Sequence, residues 1–160
     1  MGGFIPPFDP SSEEVKPVGE PVSMARHHSA RTKDRKQALD ILFDSDLRGR
    51  SIQDCLDVFV FEAGVPLRIY SRQIVSGVDD HAQELDEVIS SCLSGWTLDR
   101  IPRVDRCLAR IATWELAHTD TPTAVVIAEA LNLADELSTD NSQGFLNGLL
   151  NSVATQLRQK

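Results

Sequence analysis

Thiols and aromatics are scarce in this 160-residue chain, which has three cysteines, one tyrosine, two tryptophans and six phenylalanines. Cys55, Cys92 and Cys107 are odd in number and widely spaced, and none forms a CxxC pair. That argues against a disulfide framework or a cysteine zinc site and points to reduced thiols in a reducing compartment. No apolar run approaches the ~18 residues needed to span a bilayer. The N-terminus lacks the basic start and apolar segment of a secretory signal. These absences predict a cytoplasmic protein with no membrane partner. There is also no P-loop, GxGxxG, HExxH or GxSxG. His27, His28, His81 and His118 read as isolated from any cysteine or carboxylate at ligand spacing. The expectation is a protein that is not an enzyme, with no catalytic residue, no cofactor and no metal.

What the chain does have is enough apolar content, 41%, to bury the core of one ordinary domain. Its net charge of −8 is that of an acidic protein, but the charge is segregated. Residues 24–36 hold Arg26, Arg31, Lys33, Arg35 and Lys36 against Asp34 alone. A basic arm joined to an acidic body is an asymmetry that often marks contact with nucleic acid; the alternative is a solvated helix start. Before the arm, residues 1–23 contain Pro6, Pro7, Pro10, Pro17 and Pro21 and little periodic apolar content. Such a segment cannot bury enough surface to offset its ordering entropy, so it reads as a disordered N-terminal extension.

The periodicity from residue 32 onward is helical. A first helix is expected over Thr32–Leu47, stopped by Gly49, and a second over Ile52–Phe61, capped by Ser51. Val58–Phe61 is the one strand-like run; no partner strand exists, so it is assigned to helix. Residues 67–94 read as two helices divided at Gly77, with Asp79 and Asp80 at the start of the second. In residues 101–118, Ile101, Val104, Leu108, Ile111, Ala112 and Leu116 share one side of a helix and Arg103, Arg106 and Arg110 the other. Residues 123–137 are apolar nearly all round, which suits a central position in a bundle. A last helix follows, capped by Asn141 or Ser142, with Gly148 placed for close approach to a neighbour. The sum is an all-α helical bundle of six to seven helices with short connections.

The candidate chemistry is binding. The arm and the Arg106–Arg110 pair supply cations suited to phosphates; Arg106 and Arg110 alone could equally pair with Glu or Asp on neighbouring elements. Phe145, in the first turn of the last helix, is placed either to stack on an unpaired base or to form the rim of the core. Glu115 falls in the apolar sector of its helix and reads as an acceptor for the N–H groups of an adjacent helix start. His118 suits the negative end of its helix dipole.

Three stretches then become familiar: V-D-R-C-L-A-R-I-A-T-W-E-L (104–116), P-T-A-V-V-I-A-E-A-L-N-L-A (122–134) and D-N-S-Q-G-F-L-N-G-L-L (140–150). With R-K-Q-A-L-D-I-L-F (35–43) after an arginine-rich arm, they resemble the NusB family of transcription antitermination factors. L-S-G-W-T-L-D-R-I-P (93–102) is similar to the family's actinobacterial branch. The resemblance spans about residues 26–156, so residues 24–160 are expected to form one domain with a basic arm at 24–36. It implies two perpendicular three-helix bundles packed together. It further implies binding of boxA RNA together with NusE, a small-subunit ribosomal protein, within an RNA polymerase antitermination complex that promotes ribosomal RNA synthesis. Some family members are homodimers. The RNA face implied by position comprises Arg31, Lys33, Arg35, Asp105, Arg106, Arg110, Asn141 and Phe145. The family often has Asp where this chain has Asn141, and its arginine run is interrupted here by Thr32 and Asp34. The alternative is a NusB-like interaction or dimerisation scaffold without direct RNA recognition.

Overall fold

The computed structural model describes residues 29–62 and 64–158. The proposed extension, residues 1–23, and the first part of the arm, residues 24–28, lie outside the described residues. The rest is helical: α1 (Ala30–Arg48), α2 (Ile52–Glu62), α3 (Ile69–Asp80), α4 (Ala82–Ser91), a single 3-10 turn (Leu98–Arg100), α5 (Arg103–His118), α6 (Thr123–Leu137) and α7 (Ser142–Arg158). No strand occurs among the described residues.

Local chemistry sets the helix ends. Ser29 accepts the Thr32 N–H at 3.1 Å and starts α1 two residues before the expected Thr32. The second half of the basic arm is therefore the first two turns of a helix. Gly49 ends α1 at φ 68°, a left-handed conformation that costs glycine nothing, and its N–H reaches Ser45 O at 2.9 Å. Ser51 Oγ accepts the Asp54 N–H at 3.1 Å and starts α2 as expected. Pro102 and Pro122 stand immediately before α5 and α6, where the missing N–H leaves no bond unmade.

Packing divides the molecule into two three-helix groups. α1, α2 and α3 touch one another, as do α5, α6 and α7; α4 rests on α5 and α7, and both α1 and α3 touch α5. The centre is α5, not the apolar helix 123–137 expected there. α5 is buried from Asp105 to Ala109 and from Ile111 to Leu116. α6 leaves Val125 44% exposed and Ala124 and Ala128 on the surface. Small and aliphatic residues all round a helix permit burial but do not compel it. A helix at the meeting of two groups is decided by its partners, and α5 keeps even its charged side chains inside by pairing them.

Two glycines behave differently from expectation. Gly77 does not divide helices; it lies inside α3, and the break comes at His81. A Cβ on Gly77 would stand 2.2 Å from Trp114 Nε1 and 2.3 Å from Trp114 Cε2. This glycine is thus the seat of the buried Trp114 indole, and Asp79 and Asp80 end α3 rather than start α4. Gly148 makes no close helix approach, since a Cβ there would meet nothing within 4 Å.

Candidate nucleic-acid interface

α1 and α5 run antiparallel, as their ion pairs show. The start of α1 meets the end of α5 through Arg35 and Glu115. The end of α1 meets the start of α5 through Asp46 and the arginines of the basic strip. The eight proposed site residues fall accordingly into two groups, at opposite ends of α5. Glu115 and Asp105 are ten residues apart, about 15 Å along a helix.

At the first end, Arg35 Nε and Nη2 both donate to Glu115 at 2.9 Å, and Tyr70 Oη donates to Glu115 Oε2 at 2.6 Å. Arg35 Nη1 also reaches Glu129 Oε1 at 3.2 Å, which accepts from Thr32 Oγ1 at 2.7 Å. Glu115 therefore receives a guanidinium and a phenol, not the helix-start N–H groups expected. Burial, and then the bond to Glu115, push the Tyr70 phenol well above its ordinary range. Burial works against the Arg35 charge, but the Glu115 hydrogen bond and the nearby carboxylates outweigh it and raise its pKa. The space beside this pair is only about 10 Å³, the size of one water, so no small molecule enters. Arg35 is 4% exposed and is corrected from a phosphate ligand to the clasp between α1, α5 and α6. Arg31 and Lys33 are exposed. Arg31 lies 3.9 Å over the Tyr70 ring, so its cation is oriented by an aromatic face.

At the second end, Arg103 Nε and Arg106 Nη2 both reach Asp46 Oδ2 at 2.6 Å, and Arg110 Nε reaches Asp86 Oδ1 at 2.8 Å. Partial burial opposes the Asp46 charge, but Arg106 and Arg103 hold its carboxyl below the ordinary range. Arg106 also donates to the carbonyls of Leu98, Asp99 and Ile101 at 3.1–3.4 Å. It pins the 3-10 turn to α5, and its pairing with Asp46 is the alternative to a phosphate contact that its spacing left open. Arg110, with 21% of its side chain exposed, and Arg103, with 37%, form the accessible part of the strip. Arg103 was not among the proposed ligands, although it shares the periodicity of the other two.

Asp105 is buried, accepting from Ser142 Oγ at 2.8 Å and from Ser138 Oγ. Its role is to fasten the first turn of α5 to the first turn of α7, which fixes Asn141 and Phe145 near the basic strip's origin. Asn141 is exposed, and its carbonyl accepts the Phe145 N–H at 3.2 Å. Phe145 is half-buried, packed against the core. Arg31 and Lys33 stand by the start of α1, and Arg103, Arg106, Asn141 and Phe145 by the starts of α5 and α7. They make two stations along α5.

Sequence reasoning missed Arg158. Its guanidinium donates to the carbonyls of Glu115, Leu116, Thr119 and Thr121 at 2.6–3.2 Å. It satisfies the C-terminal end of α5 from the last turn of α7. No local signal marks an arginine 40 residues away as a helix cap. Burial pushes the Cys107 thiol up to about 11 and raises Cys55 as well, which disfavours their reactive thiolate forms. No described helix is long and apolar enough to cross a membrane.

An all-helical protein of two three-helix groups with a two-station basic surface is the class that fold and site define. The NusB family model matches residues 32–155, and the chain belongs to the NusB family. It is 49% identical over 146 residues to the transcription antitermination protein NusB of Cutibacterium acnes, an alignment covering 89% of this chain and 55% of that one. It is 46% identical to the protein of the same name from a Nocardioides species, over 78% of this chain and 93% of the relative. Among solved structures, T. maritima NusB superimposes with a TM-score of 0.72 at 29% identity, covering 81% of this chain and 94% of that one. A chain in the structure of antitermination factors NusB and NusE in complex with double-stranded RNA shares the fold, with a TM-score of 0.71 at 24% identity and coverage of 79% and 96%.

Proposed function

We propose that this protein is a transcription antitermination factor that binds boxA-type single-stranded RNA together with NusE and so promotes ribosomal RNA transcription by RNA polymerase. The observation that carries the reading is the family match across nearly the whole described chain, in relatives named for antitermination. The geometry supports it in a revised form. Arg31 and Lys33 form one station, Arg103 and Arg110 the other, with Asn141 and Phe145 at the start of α7 adding an amide and a π-face. Arg35, Asp105 and Arg106 hold those elements in place. An extended single strand suits two separated stations better than a compact ligand does, because each contact is to backbone charge or to one unstacked base.

A second reading, a NusB-like interaction or homodimer scaffold, is favoured by one observation: Arg31, Arg35, Arg103, Arg106 and Arg110 all have carboxylate partners within the chain. Against it, Arg103 is the most open of the strip, and ion pairs near the surface are worth about 0–1 kcal/mol, so Arg103 can exchange a carboxylate for a phosphate cheaply. A titration with boxA RNA at two salt concentrations, with and without NusE, tests the proposal. Affinity should fall with salt and rise with NusE; a protein that binds NusE or itself but ignores the RNA is a scaffold.

A further inference from the structure

His81, at the break between α3 and α4, and His118, in the last turn of α5, lie together on the surface. Their rings stack with centroids 4.0 Å apart and planes 23° from parallel. Both direct a nitrogen at the same carboxylate: His81 Nδ1 is 3.2 Å from Glu84 Oε1, and His118 Nε2 is 3.3 Å from Glu84 Oε2. The ligand atoms of the three residues all lie within 4.8 Å of one another. The sequence expectation that these histidines stand apart from any carboxylate is thereby corrected. His81 and Glu84 are three residues apart across a helix start, and the fold brings His118 to them.

A hydrogen bond to Glu84 accounts for either imidazole alone. Two rings and both carboxylate oxygens drawn from two packed helices are also the donor set that a divalent ion takes. Ligands held about 2.1 Å from one ion, at about 90–110° to each other, are themselves about 3.0–3.4 Å apart, and both nitrogen–oxygen separations fall in that range. The donors come from two packed helices, and their side chains are 30–48% exposed. An ion can therefore enter. Stacked rings aim their lone pairs along near-parallel planes, so one imidazole must turn about its Cβ–Cγ bond for both nitrogens to face one ion, which a side chain at the surface does without disturbing the core. Two imidazoles and a carboxylate favour zinc, nickel, cobalt or copper over magnesium or calcium. We propose that His81, Glu84 and His118 form a surface binding site for a borderline transition-metal ion of the zinc class, which ties the α3–α4 break to the end of α5. This stands apart from the RNA reading.

The test is calorimetric titration of the full chain with Zn²⁺, with Mg²⁺ as control, together with Co²⁺ absorption spectra and melting curves. His118→Ala and Glu84→Gln alter exposed side chains and so leave the fold intact. His27→Ala/His28→Ala removes the other imidazoles. The expected result is one equivalent of Zn²⁺ bound, at least about tenfold weaker in both site variants and unchanged in the His27/His28 variant, with a zinc-dependent rise in melting temperature lost in His118→Ala. The proposal is overturned if Zn²⁺ binds no better than Mg²⁺, if His118→Ala and Glu84→Gln bind it as the unaltered chain does, if the His27/His28 variant loses it, or if Co²⁺ shows thiolate charge-transfer bands.

Discussion

Arg35 and Arg110 have the same side chain and nearly opposite situations. Arg35 is sealed against Glu115 with its guanidinium doubly bonded. Removing it strands a buried carboxylate, a loss of about 3–5 kcal/mol. Arg35→Ala should therefore lower the denaturation midpoint sharply, as read by circular dichroism. Arg110 is partly open, and its partner Asp86 is more open still. Arg110→Ala should cost less stability than Arg35→Ala, because Asp86 keeps access to water when its partner is removed. It should weaken boxA RNA binding by about 1 kcal/mol and reduce the slope of log affinity against log salt. Phe145 has a foot in each role, because it packs on the core and is not covered. Phe145→Ala should cost about 1–3 kcal/mol of RNA affinity if a base stacks on it. A lower melting temperature with unchanged affinity would assign the ring to the core alone.

At the scale of helices, the contacts of α3 on α5 and of α1 on α5 each turn on one residue. The first depends on Gly77, whose absent side chain admits the Trp114 indole. Alanine would raise the helix propensity of α3, but its methyl has nowhere to go against a rigid ring and packed neighbours. The overpacking term of about 1–3 kcal/mol should win, so Gly77→Ala is destabilising and shifts Trp114 fluorescence. The second contact includes Asp46, whose carboxyl Arg106 and Arg103 hold below the ordinary range against the opposing effect of burial. A depressed carboxyl pKa contributes stability that is present above the unfolded value of about 3.9 and is lost as pH falls through the folded value. Asp46→Asn should thus reduce stability at neutral pH and flatten its decline in acid, as measured by urea midpoints from pH 7 down to pH 3.

For the molecule as a whole, charge and apolar exposure both bear on partners. The described surface leaves Val60, Phe61, Val65 and Ile69 substantially open around the α2–α3 corner, with Phe61 85% exposed. The overall charge of −8 suits docking of a basic protein such as NusE, because opposite charge speeds and orients encounter. Light scattering should show a mass increase of one NusE per chain on mixing. The increase should weaken as salt is raised, and a homodimer that dissociates as NusE is added would also identify the shared surface.

The sequence by itself determined that the chain is helical and most of the helix ends, though not the α3–α4 break at His81, since caps, glycine stops and apolar spacing act over a few residues. Ser29, Gly49, Ser51, Pro102 and Pro122 all act where they stand. The motifs at 104–116, 122–134 and 140–150 likewise marked the family. Tertiary structure alone decided which cations reach solvent. Helical spacing puts Arg106 and Arg110 on one side of α5, but whether that side meets water or Asp46 depends on where α1 packs. It also decided that Arg35 and Glu115 meet, that Arg158 closes the end of α5, that Gly77 holds a tryptophan, and that His118 joins His81 and Glu84. Each of these joins residues far apart in the chain. Such pairings depend on helix–helix packing, and local periodicity holds no record of them.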